Sequence, residues 1–214
     1  MKKRIFAFLT VLCLFVSVML PMTASAVKVK SQAIVADIYL CHRWSGIPSL
    51  GHDWVYIENR SDKTLQVGAY QLPPRQGVSV GNFGLTRADG NGTYYNVETW
   101  CGNHYSLSGM VATKDSINQS ALDNMSNTIA GLNHWDPIVN CDSFAAAVWN
   151  AGSSKKVIPL LFPVLMKLQI LLYGDVGTVQ MYSPTREQVL KQHGIGSGAT
   201  LSVCQDGTVS KQIG

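Results

Sequence analysis

A cysteine at the start of a predicted helix is the residue of this sequence best suited to covalent chemistry. Cys141 follows Asn140, a residue type that caps helices, and shares an apolar helical face with Phe144 and Val148 before Gly152 ends the pattern. Unpaired backbone N–H groups and the positive end of the helix dipole stabilise a thiolate at such a position. The sequence therefore predicts Cys141 as a nucleophile toward carbonyl carbon, with the helix start as a donor for the oxyanion.

A thiol nucleophile needs a base within hydrogen-bond reach, and the sequence has five histidines. His52 follows Gly51 and opens the apolar run HDWVYIEN, which predicts a strand that holds the imidazole toward a helix packed on the sheet. The other histidines lie in apparent loops or tails: His42, His104, His134 and His193. His52 is therefore the predicted base.

Short strands separated by turns precede the cysteine helix. The runs AIVADIYL, HDWVYIEN, TLQVGAY, GVSVGNFG and TYYNVETW are rich in β-forming residues, so we expect an antiparallel meander. Apolar residues then recur every four positions from Ile117 to Ile129, which predicts an amphipathic helix behind Thr113 that ends at Gly131. This order predicts an α+β fold in which the Cys141 helix packs on the antiparallel sheet.

The stretch VIPLLFPVLMKLQILLYG is strongly apolar and is interrupted by Pro159 and Pro163. It predicts a short extended piece followed by a buried helix at about residues 165–173. An alternative is a lid that touches a membrane or binds an acyl chain.

The motifs around the two predicted catalytic residues carry a family resemblance. NCDSFA at a helix start, with GHDWVYIEN opening an upstream strand, resembles the papain-like cysteine hydrolases of the NlpC type. His52 precedes Cys141 in the chain, and in this order the sequence resembles the circularly permuted branch of these hydrolases, which includes lecithin:retinol acyltransferase-like proteins. The resemblance covers about residues 33–152 and implies a permuted papain-like fold, with Cys141 as nucleophile and His52 as base.

The resemblance does not supply a residue that orients His52. In the permuted branch a polar side chain on the strand after the histidine strand usually has this role, but the corresponding run LQVGAY offers Gly68. Without an orienting partner the imidazole can adopt the wrong tautomer. Glu98, an acid in the apolar run YYNVETW, is the predicted third catalytic residue, and Tyr70 is the alternative.

The N-terminal region predicts export. Its basic start is followed by an apolar run and by the small residues Ala24, Ser25 and Ala26, a pattern typical of a secretory signal peptide at residues 1–26. A retained membrane anchor is the alternative, for which the apolar run is short. We therefore expect a single domain at residues 27–214, secreted to the extracellular space or the cell wall, with no stable membrane span.

The formal charge of +4 falls close to zero without the basic start, so no nucleic-acid partner is indicated.

Removal of the signal peptide leaves Cys41, Cys101, Cys141 and Cys204. Export permits disulfides, and one alternative is a disulfide between Cys41 and Cys101, which both follow predicted strands. A second alternative is zinc bound by these two thiols with His42 and His104, although adjacent residues on a strand point in opposite directions. A nucleophile must be free, so we expect Cys141 to lie outside any disulfide.

The predicted function is that of a secreted thiol-dependent amide hydrolase, a cysteine peptidase or amidase, without cofactor or metal. The resemblance implies peptides or cell-wall peptides as substrates. Two other functions stay open. Gly68 in place of an orienting residue favours a non-catalytic binding protein on the same fold, and the acyltransferase-like relatives imply a lipid acyl-hydrolase.

Overall fold

A computed structural model describes most of the chain beyond the predicted signal peptide. The described residues are 32–43, 51–83, 92–104, 109–159, 163–177, 179–182, 184–185, 200–203 and 209–212. The strands and helices within them belong to one compact unit, Ala33–Gly214. The predicted signal peptide, residues 1–26, lies outside the described residues.

The described strands are β1 (Ile34–Arg43), β2 (His52–Asn59), β3 (Leu65–Val67), β4 (Tyr70–Leu72), β5 (Gly77–Phe83), β6 (Gly92–Tyr95), β7 (Met110–Asn118), β8 (Thr200–Val203) and β9 (Val209–Gln212). A five-stranded sheet with the order β6-β5-β2-β1-β7 forms the centre of the fold, and β3-β4 and β8-β9 are separate two-stranded sheets. All of these pairings are antiparallel. The predicted antiparallel sheet is therefore confirmed.

The described helices are α1 (Val97–His104), α2 (Gln119–Gly131), α3 (Cys141–Gly152) and α4 (Pro163–Tyr173). Helix α3 packs on β2 and β5 and against α2, and helix α1 packs on β5. The protein is thus an α+β structure in which the helix that begins with Cys141 lies on the sheet, as the order of elements in the sequence predicts.

Successive side chains of each strand point to opposite faces of the sheet, and both faces are buried. The larger core cluster joins Leu40, Val55 and Val80 of the sheet to Phe144 and Trp149 of α3. A smaller cluster on the other face contains Cys41, Trp54, Tyr56, Met110 and Ala112. Successive residues at the start of β2 consequently turn to different sides of the sheet.

The predicted start of the helix behind Thr113 is wrong. The chain continues as strand β7 through Ile117 to Asn118, because β1 has a free edge that this segment pairs with. The helix begins at Gln119, where the Asn118 side chain accepts a hydrogen bond from the backbone N–H of Ala121 at 3.0 Å. The four-residue spacing therefore marks a buried helical face only beyond the strand.

Two of the predicted strands are interrupted. TLQVGAY forms the hairpin β3-β4 around Gly68, whose φ of 56° is in the left-handed region that glycine adopts readily. TYYNVETW leaves its strand at Asn96, which has a φ of 64°, and helix α1 starts at the next residue. Glu98 consequently lies in the first turn of a helix, and its predicted place in a strand is wrong.

Helix α4 is buried along one face only, so the prediction of a buried helix at residues 165–173 is wrong for its outer face. Met166 and Ile170 are fully buried, whereas Leu168, Leu171 and Leu172 are exposed. The helix packs on β7 and β1 from one side of the sheet. Among the described residues, no helix is long and apolar enough to cross a membrane.

Candidate active site

The thiol of Cys141 lies at a capped helix start. The Asn140 side chain accepts a hydrogen bond from the backbone N–H of Ser143 at 3.1 Å, and the Ser143 hydroxyl accepts one from the backbone N–H of Asn140 at 3.0 Å. This reciprocal capping fixes the first turn of α3. Cys141 is a free, partly exposed cysteine, so its sulfur lies at the positive end of the helix dipole within reach of solvent.

His52 is held between aromatic rings at the first position of β2. Its imidazole stacks on Phe83, with ring centroids 4.6 Å apart, and on Trp54, with centroids 5.7 Å apart. The side chain is 13% exposed. These contacts leave the ring little freedom to rotate, as a base that must face one fixed partner requires.

Glu98 reaches His52 from helix α1. Its Oε1 lies 3.0 Å from Nε2 of His52, and its Oε2 accepts a hydrogen bond from the hydroxyl of Ser79 at 2.7 Å. The carboxylate is 5% exposed. Because each oxygen has a partner, Glu98 can fix both the orientation and the tautomer of the imidazole.

The thiol and the imidazole form a hydrogen bond, which brings the predicted nucleophile and base together. Nε2 of His52 already contacts Glu98, so Nδ1 is the ring nitrogen left for the sulfur. Burial lowers the pKa of His52, but hydrogen bonds to Cys141 and Glu98 and the negative charges of these two groups outweigh it and raise the pKa to about 10. The geometry therefore favours the imidazolium form of His52.

We expect His52 to titrate near pH 10 rather than near its ordinary value of 6.5. Since the folded chain binds this proton more tightly than the unfolded chain, His52 stabilises the fold below about pH 6.5, and this contribution is lost as the pH rises toward 10. NMR titration of the ring measures the pKa. Cys141→Ser and Glu98→Gln should each lower it, and an ordinary value in the parent protein would contradict the arrangement.

The remaining candidates from the sequence lie elsewhere. Tyr70, the alternative orienting residue, stacks on Tyr95 with ring centroids 5.6 Å apart. Nε2 of His134 lies 3.7 Å from Oδ2 of Asp136. His104 is the last residue of α1, and His193 lies outside the described residues.

Cys41 is a free and fully buried cysteine, so the disulfide alternative that joined it to Cys101 is wrong. Burial raises the pKa of the Cys41 thiol well above its ordinary value, which makes it a poor nucleophile. The zinc alternative is not supported either, because His42 turns to Asp53 while Cys41 packs on the other face of the sheet. Within the described residues no group of three or more His, Cys, Asp or Glu side chains is placed to hold a metal ion.

Ser79 is a site residue that the sequence reasoning missed. It holds Glu98 through its hydroxyl, which also accepts a hydrogen bond from the backbone N–H of Thr99 at 3.2 Å. The signal in the sequence is the alternation of small residues at Gly77, Ser79 and Gly81, which places no large side chain on one face of β5. That gap is where the Glu98 carboxylate lies.

No family model, curated protein or solved structure matches this chain. The functional interpretation therefore depends on the geometry of Cys141, His52 and Glu98. These three residues come from α3, β2 and α1, so the sheet and two helices together build the site.

Proposed function

We propose that the protein is a secreted cysteine hydrolase of amide bonds, in which Cys141 is the nucleophile, His52 the acid and base, and Glu98 the residue that orients the imidazole. The observation that carries this proposal is the hydrogen bond between the thiol at the start of α3 and an imidazole whose other nitrogen lies 3.0 Å from a buried carboxylate. A nucleophile, a base and an orienting group in contact are the parts that thiol-dependent acyl transfer requires.

The reaction follows from these contacts. The Cys141 sulfur attacks the carbonyl carbon of the amide, and the backbone N–H of Cys141 stabilises the resulting oxyanion. The His52 imidazolium donates its proton to the departing nitrogen, the C–N bond breaks, and an acyl-thioester remains. Neutral His52 then accepts a proton from water as its oxygen attacks the thioester, which releases the acid and restores the thiolate–imidazolium pair.

The order of the elements supports assignment to the circularly permuted papain-like hydrolases. The strand that begins with His52 precedes the helix that begins with Cys141, and that helix packs on the sheet. Glu98 occupies the orienting role for which Gly68 has no side chain. The contact between Glu98 and His52 supports the catalytic function over a non-catalytic binding protein.

Peptides or cell-wall peptides are the proposed substrates, because the pattern of residues 1–26 is that of a secretory signal peptide, which would export the protein. The test is to incubate the secreted chain with a panel of peptide amides, including cell-wall stem peptides, and with ester lipids. Mass spectrometry should find an acyl group on Cys141 from the peptides. Acylation by the ester lipids alone would replace the amidase with a lipid acyl-hydrolase, and a chain that stays unmodified by every probe would contradict catalysis.

Replacement of Glu98 by Gln should lower the turnover of such a peptide about tenfold to 100-fold, because an amide keeps the size of the side chain but removes the charge that favours the imidazolium. The optimum should also shift to lower pH, as the His52 proton is held less tightly. Tyr70→Phe is the matched control, since Tyr70 lies on the β3-β4 hairpin and stacks on Tyr95. A normal rate in the Glu98 variant together with a reduced rate in the Tyr70 variant would reverse the assignment.

A further inference from the structure

Most of the large apolar side chains that are exposed in the described part of the chain belong to helix α4 or to residues next to it. Three of them lie elsewhere, at Ile34, Trp135 and Ile138. The other six are Ile158, Leu168, Leu171, Leu172, Tyr173 and Val176. Exposed apolar side chains that gather on one element mark a surface that contacts another molecule.

The outer face of α4 is formed by Leu168, Leu171 and Leu172. The last two follow Leu168 by three and four positions, so all three share one side of the helix. Leu172 is 86% exposed. On the opposite side Met166 and Ile170 are fully buried in the core. The inner side of the helix therefore holds it on the protein, and the outer face has no contact that would bury it.

A basic segment lies along one side of this outer face. Gln169 accepts a hydrogen bond from the backbone N–H of Ile158 at 2.7 Å and donates one to its carbonyl at 2.9 Å. One turn later, the hydroxyl of Tyr173 donates to the backbone carbonyl of Lys156. These hydrogen bonds place Lys155 and Lys156 beside α4.

Lys167 lies on the other side of the outer face. At about 100° per residue, Lys167 and Gln169 are displaced from Leu168 in opposite directions around the helix axis. Lys167 is partly exposed and is the only charged residue of α4. The exposed leucines are therefore flanked by lysines on both sides.

These lysines have no carboxylate partner among the described residues. The ammonium groups of Lys155 and Lys156 donate to backbone carbonyls, and none of the ion pairs includes Lys167. The nearest acids accept other hydrogen bonds: Asp175 from two backbone N–H groups, and Asp115 from residues 153 and 154. Positive charge is consequently in excess around the outer face.

We propose that α4 is an interfacial helix that lies on an anionic phospholipid bilayer, with its exposed leucines at the acyl-chain boundary and its flanking lysines against the lipid phosphates. An apolar face bordered by lysines is the pattern of helices that lie in this plane. With 11 residues the helix is too short to span a bilayer. The inference does not depend on the proposed catalysis.

The flanking charges favour a bilayer over a second copy of the chain. In a two-fold symmetric dimer the same patch is used by both protomers, so the lysines of one outer face would meet those of the other. Like charges in such a contact oppose association. Lipid phosphates instead supply the opposite charge along both sides of the helix.

The test is cosedimentation of the secreted chain with vesicles of phosphatidylcholine alone and of phosphatidylcholine mixed with phosphatidylglycerol. The chain is used as secreted, because an apolar signal peptide would bind lipid by itself. We expect about fivefold or more tighter binding to the mixed vesicles, and the binding should weaken as salt is added.

Replacement of both Leu168 and Leu172 by Ser should weaken binding to the mixed vesicles about tenfold or more. The matched control replaces Ile34 and Ile138 by Ser, which also removes two exposed apolar side chains, and it should bind like the parent. Lys167→Gln should weaken the binding about threefold to fivefold, and Lys167→Arg should restore it. Circular dichroism should show the parental fold in each variant.

A parent chain that binds neither kind of vesicle, or that binds both equally, would overturn the proposal. Equal losses in the leucine variant and the isoleucine control would also overturn it. A dimer in sedimentation equilibrium that the leucine variant disrupts, without vesicle binding, would assign the face to a second copy instead. Cys141→Ser should bind vesicles like the parent, so failure of the proposed catalysis and failure of this inference are distinguishable.

Discussion

Cys141→Ser and His52→Ala are each expected to lower peptide turnover by about a thousandfold or more, and the double variant is expected to lose little beyond either single change. The thiolate cannot expel an amine without the imidazolium that protonates it. The imidazole has no covalent intermediate to serve without the thiolate. Because both residues are needed for the same reaction, either substitution should remove most of the activity. The hydrolysis rates of the three variants measure this directly.

Folding is checked by circular dichroism at the assay temperature, where both variants should be fully folded. Their melting temperatures should lie below that of the parent below about pH 6.5, because both variants lose stabilisation that comes from the raised pKa of His52. His52→Ala also loses its contacts with Phe83 and Trp54. Independent action of the two residues would appear as losses that multiply in the double variant. Variants that are fully folded and retain the parental rate would show that the pair is not catalytic.

Gly81→Ala is expected to lower turnover about 100-fold by displacing the group that orients His52. A Cβ at Gly81 would overlap with Oε1 of Glu98, the atom that contacts His52. Glu98 is held on its other side by Ser79 and cannot move without losing one of its two contacts. The added methyl group therefore changes the orientation of His52 without contacting the Cys141 thiol. The turnover rate and an NMR titration of the His52 ring measure the effect.

Gly77→Ala provides the control on the same strand. A Cβ at Gly77 would overlap with the hydroxyl of Tyr56, at the other end of β5. Both substitutions overpack the core by one methyl group, so both should lower the stability by about 1–3 kcal/mol. Only the change at Gly81 should alter the His52 titration and the rate. Equal losses of rate in the two variants would indicate a general packing effect instead.

The parts of the site that are local in sequence are the parts that the sequence predicts. Asn140 caps the helix that begins with Cys141, because the capping interactions involve side chains within three residues of each other. His52 opens its strand as the alternating pattern of HDWVYIEN indicates. Both features follow from short-range geometry, and neither requires knowledge of how distant segments meet.

The contacts that depend on tertiary pairing could not be read in this way. The four-residue spacing of apolar residues that starts at Ile117 predicts a helix behind Thr113. Residues 110–118 form a strand instead, because they pair with the free edge of β1. The sequence predicts that Glu98 orients His52 from a strand, whereas Glu98 reaches the ring from a helix because Asn96 turns the chain first.

The rate of alkylation of Cys141 by iodoacetamide as a function of pH tests the thiolate–imidazolium pair most directly. At about pH 6 an ordinary thiol is almost entirely protonated, and we expect Cys141 to react about tenfold or more faster than a simple model thiol. His52→Ala should abolish most of this advantage, because it removes the hydrogen bond and the positive charge beside the sulfur. A parent protein whose rate follows that of the model thiol at every pH, with no effect of the His52 substitution, would contradict the account.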